Sequence, residues 1–343
     1  MNTKYIPILR WKTGEKECLE NLSTQVVQNI IPFIEVSPPS NSDTEEAASK
    51  KYGKLVVSFN NTWKDRHFYL YLSEDWYEDI DSSDQMAEIY TTFYDAVNHP
   101  LAIPAFDVMD EVNISSHSNS PNGVCLRINT NNFETINSTL KDYASNGLIN
   151  PENTDLLFDL KFIDENLYPQ KAALTTAISD VTDISSFRRI IIASCSFPKD
   201  LSKLTSGKAN EFERYERAIH TIALKLKATF SFNYIYSDYG PQNLNDTAFV
   251  IGMIPNFKIK YSTENKYLVV KGFSIKKGGL DLVNVVRSCQ IIENHPYFSG
   301  STFSYGDKII SDTANGINTK SGNLTKWVGY SLNHHITLID SII

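Results

Sequence analysis

Charged side chains stand inside apolar runs at several points of this chain. Phe33-Ile34-Glu35-Val36, Leu126-Arg127-Ile128 and Phe158-Asp159-Leu160-Lys161 each place an ionisable group in a segment otherwise suited to burial. A buried charge is costly unless it is paired. Two arrangements answer that constraint. In one, Glu35, Asp107 and Asp159 face Arg10, Arg127 and Lys161 across a shared polar cavity. In the other, the same groups form a structural ion network that closes the interior. Carboxylates from separate segments suit Mg2+ through their oxygens, or acid and base roles. Arg and Lys beside them suit a phosphate or a carboxylate.

The elements that must position these groups are short apolar strands alternating with helical patterns. Tyr5–Arg10 (YIPILR) reads as a strand and residues 14–30 as a helix, with Leu19, Leu22, Val26, Val27 and Ile30 near a 3.6 period. Strands follow at 31–36, 68–72, 101–108, 124–128, 156–162, 189–193 and 230–236, with a possible extra one at 55–59. Helices are expected at 86–97, 133–145, 169–181 and 211–227. The Ser/Asn-rich stretch 115–122 is too polar for a helix, so the alternation falters there. Eight strands with helices between most of them is the count of a (β/α)8 barrel. Strands apolar almost throughout suit burial on both faces, although an open doubly wound sheet gives a similar string.

The last hundred residues change rhythm. A hairpin is expected at 257–262 and 267–272, a helix at 280–293, a loop at 297–322 and a helix at 324–343. No Pro-rich or Gly/Ser-rich linker precedes them. The expectation is therefore α/β class: one TIM-barrel-like domain over 1–343, with a barrel core at 1–250 and a hairpin-plus-helix appendage packed on it at 251–343.

Such barrels carry their sites where strands end. The ends here hold Arg10-Trp11-Lys12, Glu35, Glu74-Asp75, Asp107, Arg127, Asp159 with Lys161, Ser194-Cys195-Ser196, and Asp238-Tyr239-Gly240. Glu35, Asp107 and Asp159 are the candidate catalytic or metal-binding groups. Arg10, Lys12, Arg127 and Lys161 are the candidate anion holders, and Asp238, Tyr239 and Lys271 are expected to line the rim. The adjacent pair His334-His335 points in different directions on a helix and makes no two-ligand face. Motifs for dinucleotide, P-loop, zincin and α/β-hydrolase chemistry are absent.

A net charge of -8 argues against sequence-independent nucleic-acid binding. The short basic clusters Lys258-Ile259-Lys260 and Lys276-Lys277 read as solvated strand ends and loops. Four cysteines, at 18, 125, 195 and 289, show no CxxC spacing and read as small, reduced core residues. Only Cys195 sits where a catalytic thiol could act. There is no secretory h-region, and no apolar run of the ~20 residues a membrane helix needs. A cytoplasmic protein away from membranes is expected.

Further residues carry a resemblance. Tyr5 to Lys12 with Gly14-Glu15, then Ile31-Pro32-Phe33-Ile34-Glu35, resemble the opening of the phage "beta protein" family. So do Gly123 to Arg127, Leu157 to Leu160, Ser196-Phe197-Pro198, Asp238-Tyr239-Gly240, Lys271-Gly272, Tyr305-Gly306-Asp307, Gly322 to Thr325 with Trp327, and Asn333-His334-His335. The ordered set is specific, whereas each motif alone is weak. By motif match, Ser196, Asp307, Asn323 and His334 join the candidate ligand-binding residues. The resemblance implies a barrel-like protein of temperate phages, satellite prophages and mobile islands. In some members it implies a place in an anti-phage operon beside a cell-killing partner and a regulator. Two functions are carried forward. One is a defence component that senses or binds a phage protein or an operon partner. The other is a metal-dependent barrel enzyme acting on a phosphorylated small molecule or a nucleic-acid end.

Overall fold

The structure, a computed structural model, describes residues 3–37, 45–73, 92–95, 97–244, 256–274 and 280–343. Glu74, Asp75, Lys276, Lys277 and most of the helix expected at 86–97 lie outside them. Parallel strands β1 (Tyr5–Arg10), β2 (Phe33–Val36), β3 (Phe68–Leu72), β4 (Ala102–Asp107), β5 (Val124–Asn129), β6 (Thr154–Phe162) and β7 (Arg189–Cys195) follow one another round a closed barrel. Strand β8 (Ala209–Glu213) lies outside it. Strand β9 (Tyr234–Asp238) closes it, pairing with both β7 and β1. Helices α1 (Thr13–Glu20), α2 (Thr24–Asn29), α3 (Glu45–Thr62), α4 (Glu111–Ser116), α5 (Ile136–Ser145), α6 (Tyr168–Asp180) and α7 (Glu216–Phe230) alternate with the strands. This is an α/β barrel of the (β/α)8 type, as the alternation predicts.

Several boundaries differ from the sequence reading. The helix expected over 14–30 is two helices. Asn21 turns its amide back to the Glu17 carbonyl, and Ser23 accepts the Val26 N–H to start α2. Short polar side chains compete with the helical ladder in this way. The possible strand at 55–59 is the last part of α3, because so short an apolar run has no readable period. The helix expected at 211–227 starts only at Glu216, since residues 209–213 pair with a later strand. The stretch after β4 does hold a helix, α4, whose first turn is capped by Asp110.

The C-terminal elements are β10 (Asn256–Ser262), β11 (Lys266–Ser274), α8 (Leu282–Glu293), α9 (Tyr305–Ala314) and α10 (Leu324–Ile342). Strand β11 lies between β10 and β8 in an antiparallel sheet. Helix α9 replaces the loop expected at 297–322, and Ser304 caps it by accepting the Asp307 N–H. Phe257, Ile259, Tyr261, Leu268 and Val270 form a core with Val285, Cys289, Ile310 and Trp327. Tyr267 and Val269, on the other face of the sheet, pack with Phe197 and the barrel interior.

Two features hold α10 against the barrel. The first is a close crossing with α1. A Cβ on Gly329 would lie 2.6 Å from the Gly14 carbonyl oxygen, and one on Gly14 would lie 2.6 Å from that of Thr325. The second is a buried polar chain. The Asp238 carboxylate accepts from the Tyr5 hydroxyl at 2.5 Å and from Tyr236 at 2.8 Å. His335 Nε2 stands 3.0 Å from the same carboxylate, with its Nδ1 2.7 Å from Ser262 Oγ. His334 Nε2 reaches the Ser262 carbonyl and its Nδ1 reaches Asp307, both at 2.7 Å. Burial alone would raise the Asp238 carboxyl. His335, Arg214 and Tyr5 outweigh it and hold it well below the usual carboxylate range. Burial pushes the His335 imidazole down. It also pushes His220 down to about 4, with Arg217 adding to the effect.

Two predictions follow from these packing relations. Gly329→Ala should destabilise by about 1–3 kcal/mol through overpacking. Gly53→Ala, with nothing within 4 Å of its added carbon in α3, should be neutral or stabilising. A pair of thermal melts checks this. The second prediction concerns pH. The folded states of His335 and His220 refuse protons that the unfolded chain accepts near pH 6.5. Stability should therefore be full above that pH and fall progressively on acidification towards pH 4. Asp238 adds a further loss below about pH 4, where the unfolded carboxylate takes up its proton first. Melting temperature against pH should show this slope, and His220→Gln should make it shallower.

Candidate functional site

Alternate residues of each barrel strand point inward, and the inward set has three levels. Ile6, Ile8, Phe33, Tyr71, Ile103, Ala105, Cys125, Leu157, Ile191, Ala193 and Ile235 fill the middle. At the level where strands begin, Asp155 accepts from Tyr69, Arg188 and Arg189 at 2.6 to 3.1 Å. At the opposite level, where strands end, the register sets Arg10 beside Glu35, Asp107 beside Arg127, and Asn129 beside Asp159.

Arg127 is the centre of the strand-end level. Its Nε and Nη2 both donate to Asp159 Oδ2, at 2.9 and 2.7 Å. Nη1 donates to Glu35 Oε1 at 2.9 Å, and Nη2 also reaches the Tyr239 hydroxyl at 2.7 Å. Tyr239 in turn donates to Asp159 Oδ2 at 2.6 Å. The guanidinium lies 4.6 Å from the Tyr71 ring centroid and 5.7 Å from that of Phe33. Arg127 and Asp159 side chains are wholly buried, while Glu35 is 12% and Lys161 37% exposed. The cluster thus reaches solvent through Glu35 and Lys161. Burial opposes charge on both central groups. Tyr239 and Asp159 nevertheless keep Arg127 firmly protonated. Arg127 and Lys161 keep the Asp159 carboxyl below its usual range.

Lys161 reaches the mouth through irregular backbone. Its φ is +54°, and the β6–β7 register shifts between Asp159 and Phe162. Its N–H donates to Asp159 Oδ1 at 2.9 Å, and its Nζ lies 3.6 Å from Oδ2. A bulge of this kind re-aims a side chain. Asp107 accepts from the Met109 N–H at 3.0 Å and from Asn129 Nδ2 at 2.8 Å. Asn129 Oδ1 is buried without a hydrogen-bond partner. Among the described residues, no three His, Cys, Asp or Glu side chains gather as a metal site.

The structure brings together Glu35, Arg127, Asp159, Lys161 and Tyr239, with Asp107 on the neighbouring strand. Arg10 and Lys12 line a separate cavity of about 370 Å3 with Gln242, Lys260 and Thr325. Asp238 does not face the mouth, since it points outward to His335. Ser196 gives its hydroxyl to Glu216 and accepts from the Tyr215 N–H at the start of α7. Lys271 donates to the Ser202 carbonyl on the outer sheet. Asp307 and His334 lie in the appendage core, and Asn323 caps α10. Cys195 is buried, and burial with Glu216 beside it pushes its thiol up, against a nucleophilic role. Tyr71, Phe33 and Asn129 escaped the sequence reading, although their inward parity with Glu35 and Arg127 marks them.

Comparison with known proteins adds the family. The Beta protein family model matches residues 5–339. Protein beta of Enterobacteria phage P4 is 22% identical over 351 aligned positions, covering 98% of this chain and 92% of that one. With a match running through the barrel and the appendage alike, the chain belongs to the Beta protein family.

Proposed function

We propose that this protein is a recognition component of an anti-phage defence system, which binds a phage component or a toxin partner and uses a polar ligand pocket at the barrel mouth. The phage-encoded relative supports a phage-related setting. One observation carries the choice of binding over catalysis: the strand-end carboxylates are already occupied. Asp159 spends both oxygens on Arg127, Tyr239 and the Lys161 N–H. Asp107 spends both on Met109 and Asn129, and Glu35 gives one to Arg127. Carboxylates so engaged orient a ligand better than they accept its proton. A second reading, a Mg2+-dependent enzyme acting on a phosphorylated molecule, draws on the strand-end position of the same groups. It requires them to release these donors.

The test is infection of cells carrying the gene in its native neighbourhood, with recovery of the tagged full chain. A phage-encoded or neighbour-encoded protein should copurify, and loss of the chain should abolish protection. Glu35→Gln should weaken protection while leaving the melting temperature within a few degrees, because Arg127 keeps Asp159. Asp159→Ala leaves a buried guanidinium with one carboxylate and should cost about 3–5 kcal/mol of stability. Recovery of no partner, together with metal-dependent turnover of a phosphorylated probe, would establish the enzyme instead.

A further inference from the structure

The cavity holding Arg10 and Lys12 lies outside the Arg127 cluster, at the seam between the end of β1, the segment after β9, and the start of α10. Among the described residues its walls carry three cations, Arg10, Lys12 and Lys260, against one carboxylate, Glu15. That balance runs opposite to the chain's net charge of -8. Thr13, Gln242, Asn243 and Thr325 complete a polar lining. Lys12 sits at the N-cap of α1 without a side-chain cap bond, so the first turn of that helix adds positive potential to the wall. At about 370 Å3 the cavity falls within the size range of small-molecule pockets.

A second, independent feature continues the same charge. Lys258 lies two residues before Lys260 on β10, so both share one face, roughly 7 Å apart by strand rise. Lys258 also stands directly opposite Lys271 on β11. Like charges in that position repel. Lys258 is half-buried, and burial with Lys271 nearby pushes its amine down. An anion seated over this face would relieve both penalties. Lys260 itself lies 4.8 Å from the Phe197 ring centroid, which fixes it between the sheet and the barrel mouth.

We propose that the seam cavity, with Arg10, Lys12 and Lys260 as its anion holders and Lys258 beside them, binds a small ligand through a diphosphate group. Two cations at the barrel end and two on β10 match adjacent phosphoryl groups better than a single carboxylate. A nucleotide and a simple diphosphate share this chemistry. The site stands apart from the partner-binding reading, since loss of either in its own assay leaves the other standing.

Calorimetry on the full chain, with pyrophosphate, ATP and a short single-stranded oligonucleotide, tests it. Pyrophosphate and ATP should both bind, more weakly as salt is raised. Equal affinities identify diphosphate as the whole determinant, and tighter ATP identifies a nucleotide. Lys260→Gln and Arg10→Gln should each weaken binding roughly tenfold. Lys12→Gln, at an exposed position, should weaken it without disturbing the fold. Lys225→Gln, an exposed charge on α7, should leave it unchanged. The proposal is overturned if the wild-type chain binds neither small probe, if Lys225→Gln weakens binding as much as Lys12→Gln, or if only the oligonucleotide binds.

Discussion

A guanidinium held away from water must be matched on every side, and Arg127 imposes that demand on the whole strand-end level of the barrel. Its three nitrogens reach Glu35 on β2, Asp159 on β6 and Tyr239 just past β9. These partners come from strands that are not its neighbours alone, so the contacts exist only if the barrel closes in the observed register. A one-residue slip of any strand would turn its polar group outward and leave a buried charge unmatched. Rings from Tyr71 and Phe33 occupy its faces, where water would otherwise compete. The ion cluster therefore fixes the alignment of strands that hydrophobic packing alone would tolerate in more than one register.

Strand β6 shows how far this logic extends. Asp155 and Asp159 share its inward face, separated by Leu157, and each anchors an arginine-centred cluster at one end of the lumen. By strand rise they are about 13 Å apart, the height of the apolar layer between them. The two clusters differ in closure. At the strand-start level, Arg188 and Arg189, each about one-fifth exposed, approach Asp155 from β7 and its preceding turn. At the strand-end level the arginine itself is wholly buried, and openness is left to Glu35 and Lys161. The first pattern suits a plug. The second suits a mouth with one acidic and one basic group at its lip.

The barrel was legible in the sequence because all its strands are apolar and buried on both faces, and because charges interrupt them at the same end. The same signal marked Glu35, Arg127 and Asp159 as a meeting group. Three kinds of information were not legible. Residues 209–213 follow a helical pattern into α7 and become a strand only because β11 offers an edge 55 residues later in the chain. Residues 305–314 lie in the Gly-, Ser- and Asp-rich stretch read as a loop, yet Ser304 caps them and Ile310 and Ala314 bury one face against α8 and α10. The direction of Asp238 was also hidden. It ends β9 as Asp159 lies near the end of β6, but its parity is outward, and its partners Tyr5 and His335 come from opposite ends of the chain.

Backbone conformation singles out one residue at the strand-end mouth. Four non-glycine residues among those described have positive φ: Lys64, Lys161, Asp183 and Ser231. Lys64 follows the end of α3, Asp183 precedes a short helical turn, and Ser231 caps α7 in the left-handed form. Left-handed residues are ordinary at helix ends. Lys161 has no such excuse, since it lies inside a barrel strand. Such a conformation costs on the order of 1–3 kcal/mol and persists only where surrounding structure overrides it. The override here is visible: the Lys161 N–H is held by Asp159 Oδ1, on the carboxylate that anchors Arg127. The residue carries a long cationic side chain, 37% exposed, beside Tyr239 at the mouth. In a regular strand Lys161 would share the inward face of Leu157 and Asp159, so the left-handed backbone accompanies, rather than creates, the lysine beside Asp159 and Tyr239 at the lip.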